Sequence, residues 1–265
     1  MQLSKDVLDR IMEAAKEAGE ILLDASKKKP EGIAKAGHAN FVTMYDEQIQ
    51  NFLKEKLSRI LPEATFIGEE DGLGNPKDSH TGLVYVIDPI DGTSNFMKGY
   101  ESSVVSIALM ESGKPILGVI ENPFQKKTFW AIRGQGAFRN GEQIFSSESD
   151  LANSLVGFGT APYYSELHSK TFELCALYLE KGIDLRRSGT AAWDLCLAAQ
   201  GSTGLFFEAT LALWDYAAGA LIAEEAGCTV TDLEGNPLQY DGQSSIICAS
   251  HGVSQGKYLP KDIKE

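Results

Sequence analysis

The spacing of apolar positions changes along the chain, and each spacing predicts an element. Val7, Ile11, Ala14, Ala18, Ile21 and Leu22 recur at helical intervals, with Ser4 placed to cap the start. Ile49, Phe52, Leu53, Leu57 and Ile60 repeat the pattern and stop before Pro62. Two amphipathic helices therefore open the chain. Residues 65–67 form a short strand candidate, and Gly72, Gly74, Asn75 and Pro76 mark a loop. The run 83–87 is continuously apolar, as in a strand buried on both faces. Strand candidates at 104–110, 116–121 and 128–132 follow at short intervals, with turns at Gly113 and Asn140-Gly141, so this stretch reads as an antiparallel meander.

Beyond about residue 150 the pattern changes. Strands near Leu155, Ile183, Leu205 and Ile246 alternate with helical segments near 165–180, 191–200 and 215–226. Such alternation predicts layered α and β structure. There is no internal repeat, low-complexity segment or linker. The expected unit is one compact domain over 1–265, made of two closely packed halves at about 1–150 and 151–265.

Charge narrows the function classes. With 24 Lys and Arg against 37 Asp and Glu, the net charge is −13, which disfavours direct binding to nucleic acid or anionic lipid. It would also repel a phosphorylated substrate, so phosphate chemistry here needs local positive charge, and metal ions are the obvious source. No segment reaches the roughly 18 apolar residues of a membrane span. The charged, helical start is unlike a secretory signal, so the chain reads as cytoplasmic. Cys175, Cys196, Cys228 and Cys248 form no C-x-x-C pair and sit among apolar neighbours, as reduced core residues do.

Acidic residues gather at three element ends: Gly68-Glu69-Glu70, Asp88-Pro89-Ile90-Asp91-Gly92-Thr93, and Trp214-Asp215. In the second, a buried strand delivers Asp88 to its C-terminal end, where ligands collect in α/β proteins. Pro89 stiffens the turn and Gly92 permits a left-handed backbone. Two carboxylates held close would repel until one took up a proton. Magnesium, which takes all-oxygen ligands, removes that conflict. An Asp-Pro-x-Asp-Gly string is also ordinary turn chemistry. An EF-hand loop is not present, because the alternating ligands and the glutamate at its end are absent. Aspartate-nucleophile phosphatases separate their two aspartates by one residue, whereas Asp88 and Asp91 are separated by two.

Taken together, G-E-E, D-P-I-D-G-T-S-N-F and W-D-Y-A-A-G-A-L-I-A-E-E-A-G resemble the signature of the inositol monophosphatase family. Lys35, Val42-Thr43 before Asp46, and Gly189-Thr190-Ala191-Ala192 extend the resemblance from the first helix to about Ala249. It implies an α+β fold, the layered αβαβα sandwich of the sugar phosphatases. It also implies two to three Mg²⁺ per site. Glu69, Asp88 and the Ile90 carbonyl would hold one, and Asp88, Asp91 and Asp215 a second. A weaker third would touch Glu69. Glu69, Thr93 and Asp46 would serve the catalytic step, with Thr93 oriented by Asp46 to position the attacking water. Asp91, Gly92, Thr93, Arg186, Gly189, Thr190, Ala191, Glu208 and Asp215 would face the substrate. Lithium sensitivity and a homodimer are further implications.

Some residues stand apart. Trp193-Asp194 is a second W-D pair, inside an apolar helix, and reads as structural. Glu70 reads as support for Glu69. His38 and His251 belong to no triad or metal motif. Asn40 and Glu101 depart from the usual family pattern, which bears on loop detail and substrate fit. The expected reaction is hydrolysis of a small phosphate monoester, inositol monophosphate or a related polyol or sugar phosphate. Fructose 1,6-bisphosphate, histidinol phosphate and a nucleotide 3′-phosphate are the rival substrates; the nucleotide enzymes usually carry D-G-T-K-E-F where this chain has D-G-T-S-N-F. A non-enzymatic role as an RNA-polymerase or ribosomal-RNA cofactor, through a protein partner, is the alternative from another class.

Overall fold

The computed structural model describes residues 3–28, 32–34, 41–70 and 74–263. Lys35, His38, Asn40 and Gly72 lie outside the described residues. Helix α1 (Lys5–Ser26) begins where Ser4 Oγ accepts from the Val7 amide, and it buries one stripe containing Leu8, Ile11, Ala15, Ala18 and Leu22. A two-strand pair, β1 (Ile33–Ala34) and β2 (Phe41–Val42), leads into α2 (Met44–Ser58). Thr43 caps α2, and Asp46 reaches back to the Thr43 amide at 2.7 Å.

Seven strands follow in spatial order: β3 (Thr65–Gly68), β4 (Leu83–Asp91), β5 (Val104–Glu111), β6 (Lys114–Asn122), β7 (Lys127–Ile132), β8 (Ala137–Arg139) and β9 (Glu142–Ile144). β3 is parallel to β4, and the others form the expected antiparallel meander. Helix α3 (Thr93–Lys98) interrupts between β4 and β5. A second, mixed sheet runs β11-β10-β12-β14-β13, from β10 (Leu155–Phe158), β11 (Asp184–Arg186), β12 (Leu205–Leu211), β13 (Thr229–Thr231) and β14 (Ser244–Ala249). The remaining helices are α4 (His168–Lys181), α5 (Ala191–Ala199), α6 (Leu213–Glu225), α7 (His251–Ser254) and α8 (Pro260–Ile263).

Strand alternation assigns each apolar residue to a layer. In β4, Tyr85 and Ile87 join α1 and α2, while Val84 and Val86 join α5 and α6 on the other face. In β12, Phe206 turns toward α5 and α6, and Leu205 and Phe207 turn toward α4. The layers are therefore α1/α2, the seven-stranded sheet, α5/α6, the five-stranded sheet, and α4 with α7 and α8. The central helices fit because they are made of small residues. A Cβ on Gly118 of β6 would lie 2.7 Å from the Ala218 carbonyl of α6. A Cβ on Gly219 would lie 2.7 Å from Leu195 of α5. The four cysteines are free and buried.

One expectation needs revision. The sequence predicts a turn over 88–91 after a strand ending at Ile87; instead β4 runs on to Asp91. Asp88 pairs with Ser106 and Asp91 with Val104, so β4 carries one extra residue there. This is a β-bulge, and it decides the site. In a regular strand, residues three apart face opposite sides. The extra residue restores the parity, so Asp91 joins Asp88 on the face that meets α5 and α6. Pro89, which has no N–H to give the ladder, sits within the bulge.

Candidate active site

A cleft of about 260 Å³ opens where the end of β4 meets the N-termini of α5 and α6. Glu69, Asp88, Ile90, Asp91, Gly92, Thr93, Gly189, Thr190, Ala191, Glu208 and Asp215 all line it. Positions spread over almost 150 residues of sequence are thus brought together by the two sheets and the helices between them.

Each aspartate is locked by one backbone amide. Asp88 Oδ1 accepts from Ile90 N at 3.0 Å, Asp91 Oδ2 from Ala192 N at 2.7 Å, and Asp215 Oδ2 from Ala212 N at 2.8 Å. The last two donors belong to the first turn of α5 and to the N-cap of α6, where amides lack helical partners and the helix dipole favours an anion. A carboxylate fixed through one oxygen presents the other in a defined direction. Among the described residues, no three acidic, histidine or cysteine side chains are drawn around a single point; each aspartate is turned onto its own amide instead.

Burial dominates the electrostatics. It raises the Asp88 pKa well above the usual carboxylate range, and Glu69, Asp91, Asp215 and Asp46 raise it further. Asp91 is pushed up to about 8, chiefly by burial, against the opposing Ala192 amide. Burial and then Asp91 raise Asp215. These groups cannot all ionise without added positive charge. The all-oxygen donor set fits magnesium, and Glu69, Asp88, Asp91, Asp215 and the Ile90 carbonyl are the groups able to hold it.

Thr93 lines the cleft beside Ile90. Its hydroxyl lies 3.3 Å from Asp46 Oδ1 and 3.1 Å from the Ile90 carbonyl. Asp46 is fully buried behind it and also accepts from the Thr43 hydroxyl at 2.6 Å. Gly92 is obligatory: its φ is +88°, and a Cβ would stand 2.4 Å from Thr190 Oγ1. Glu208, also in the lining, is buried and accepts from the Ala161 amide at 2.8 Å. Burial raises its pKa to about 7, while the Ala161 bond and Arg187 pull it down.

Arg186 is not brought to the cleft. It is exposed at the end of β11 and pairs with Asp184. Its neighbour Arg187 lines the cleft and donates to Thr160 Oγ1 at 3.1 Å. Consecutive residues at a strand end point to opposite sides, so the Arg186-Arg187 pair held the signal but not the choice. Glu70 contacts Gln50 through its backbone, both N–H and carbonyl, and is absent from the cleft lining. Asn95, overlooked in the sequence, lies within reach of the Ser102 and Ser188 carbonyls and of Thr190 Oγ1, and so ties α3 to the loop before α5. Tyr163, Tyr164 and Gln243 at the cleft mouth were also missed, since no motif marks them.

The model of the inositol monophosphatase family matches residues 4–263. The chain belongs to the inositol monophosphatase family. Relatives in that family include inositol monophosphatase 1 of Sus scrofa, 30% identical over 98% of this chain and 95% of that one. The Nus factor SuhB of Xylella fastidiosa is 35% identical over 88% of this chain and 84% of that protein. The crystal structure of the extragenic suppressor protein SuhB from Bartonella henselae superposes with a TM-score of 0.88 at 30% identity, covering 98% and 99% of the two chains. Family membership supports phosphatase activity in general, and the layered sandwich agrees with these neighbours. No helix among the described residues is long and apolar enough to cross a membrane.

Proposed function

We propose that this protein is a magnesium-dependent phosphatase that hydrolyses a small polyol or sugar phosphate monoester by attack of water. The observation that carries this reading is the bulge of β4. It turns Asp88 and Asp91 to one face, against Asp215 and beside Glu69, in one cleft. Magnesium bound by these groups supplies positive charge to the phosphate oxygens and acidifies water. The chain does the positioning. Thr93 Oγ1 donates its proton to buried Asp46, which leaves its lone pairs to accept from the attacking water. As the water oxygen bonds phosphorus, its proton passes to Thr93 Oγ1 and the threonine proton to Asp46 Oδ1. The ester oxygen leaves with its electron pair and takes a proton from solvent. Glu208, an acceptor when ionised, suits the hydroxyls of a polyol leaving group and repels a phosphate, so it orients the substrate with phosphate toward the aspartates.

Protein stripped with EDTA should be inactive on inositol 1-phosphate, glycerol 2-phosphate and fructose 1-phosphate, and recover on addition of Mg²⁺. Full activity without metal would sink the mechanism. In this reading the protein is a cytoplasmic homodimer, and lithium inhibits it by replacing magnesium at the Asp91–Asp215 side. A light-scattering mass near the 28.8 kDa of one chain would refute the dimer. The relative named Nus factor SuhB supports a second role, docking on a protein partner in transcription. Pull-down with Asp88→Asn separates the two, because a scaffold survives loss of catalysis.

A further inference from the structure

Arg187 is the single lysine or arginine among the described residues that line the cleft. Its Nη2 donates to the neutral Thr160 hydroxyl at 3.1 Å, and among the described residues it forms no ion pair. In a chain of net charge −13, an exposed cation at the rim of an acidic cleft is placed to meet a ligand. Its place within the cleft is defined. Its charge acts on Glu208 and Asp194, and a Cβ built on Gly189 would lie 3.4 Å from its Nη1. The cleft thus brings the cation Arg187 and the acceptor Glu208 into one lining with the carboxylates able to hold magnesium.

A guanidinium presents a planar fork of donors that matches a carboxylate or phosphate. The Thr160 bond orients that fork and occupies one nitrogen of it. We propose that Arg187 is a specificity-determining residue, selecting substrates whose leaving group carries a second anion, a carboxylate or a distal phosphate, beside the hydroxyls that Glu208 accepts. This refines the hydrolase reading above and rests on it. The net negative surface makes such selection useful, since a doubly charged substrate otherwise meets only repulsion. A role limited to offsetting Glu208 and Asp194 would affect every substrate alike.

The experiment compares two substrate pairs with Mg²⁺ present. Glycerol 2-phosphate and 2-phosphoglycerate differ by a carboxylate; fructose 1-phosphate and fructose 1,6-bisphosphate differ by a phosphate. The readout is the ratio of kcat/KM, the member with the second anion over the member without it, in which losses common to both cancel. Wild type should favour the member with the second anion. Arg187→Met should lower the ratio about tenfold, the scale of one charged hydrogen bond to a ligand, with the change in KM. Arg187→Lys should keep part of the preference. A response in one pair alone would still support the inference and name the anion. A ratio unmoved by Arg187→Met in both pairs would overturn it while leaving the hydrolase reading intact. A wild type that turns over none of the four substrates would overturn the inference, and inactivity on inositol 1-phosphate as well would overturn the hydrolase reading.

Discussion

Two Trp-Asp pairs stand at the starts of neighbouring helices, and one residue of register separates their fates. Asp215 is the third residue of α6, where a carboxylate reaches back to the N-cap amide, here Ala212 N at 2.8 Å. Asp194 is the fourth residue of α5. From there it faces Ser188, whose side chain and backbone both stabilise its anion. In α5 the backbone amide is taken by an outsider: Ala192 N donates to Asp91. Both aspartates line the cleft, so proximity does not distinguish them. Helix position does, because it decides which oxygen is tied down and where the other points. Their tryptophans differ too. Trp193 is buried edge-on against Phe129 in the central core, while Trp214 is half-buried at the cleft wall.

The largest effect that could break this comparison is loss of the shared carboxylate. Asp88→Asn should lower Mg²⁺-dependent kcat by about a thousandfold or more, since the metal supplies several kcal/mol of transition-state stabilisation. Asp215→Asn should cost roughly a hundredfold and raise the Mg²⁺ concentration needed for half activity. Asp194→Asn should leave that concentration unchanged. Metal titrations of initial rate measure all three, and exchanged results for Asp194 and Asp215 would reverse the assignment of the two pairs.

A smaller effect is expected at Glu208, which touches substrate and not metal in this scheme. Glu208→Gln should raise KM for a polyol phosphate about tenfold with kcat little changed. An aryl phosphate, with no hydroxyls to offer, should respond far less. Equal losses on both substrates would place Glu208 with the metals or the fold.

The smallest effect concerns stability. Burial holds the folded-state pKa of Asp194 at about 8, above the roughly 3.9 of an exposed aspartate. Between those values the folded protein keeps a proton that the unfolded chain has lost. Stability from this group is therefore full below about pH 4 and is lost as pH rises toward 8. Asp194→Asn mimics the protonated form. In EDTA, it should be more stable than wild type at pH 8 by on the order of 2 kcal/mol, with the difference shrinking toward pH 5. Urea melts at the two pH values test this, and a constant difference would show that Asp194 stays ionised.

The two opening helices, the meander, the alternation after residue 150 and the three acidic segments were determined by sequence alone. Each rests on spacing within a short window or on turn residues with one backbone habit, such as Gly92 at φ +88°. The family resemblance also named Asp46 behind Thr93, which local spacing could not relate. Tertiary structure decided the rest. The bulge between Asp88 and Asp91 exists only through pairing with Ser106 and Val104, and a string of residues does not say which strand will lie beside it. Arg187 rather than Arg186 enters the cleft because β11 ends there and its side chains alternate. The raised pKa values of Asp88 and Asp91 arise from burial beneath α5 and α6, elements about 100 residues away in sequence. Local preference writes the elements, but register, parity and desolvation belong to the packed layers, since each depends on neighbours that sequence distance hides.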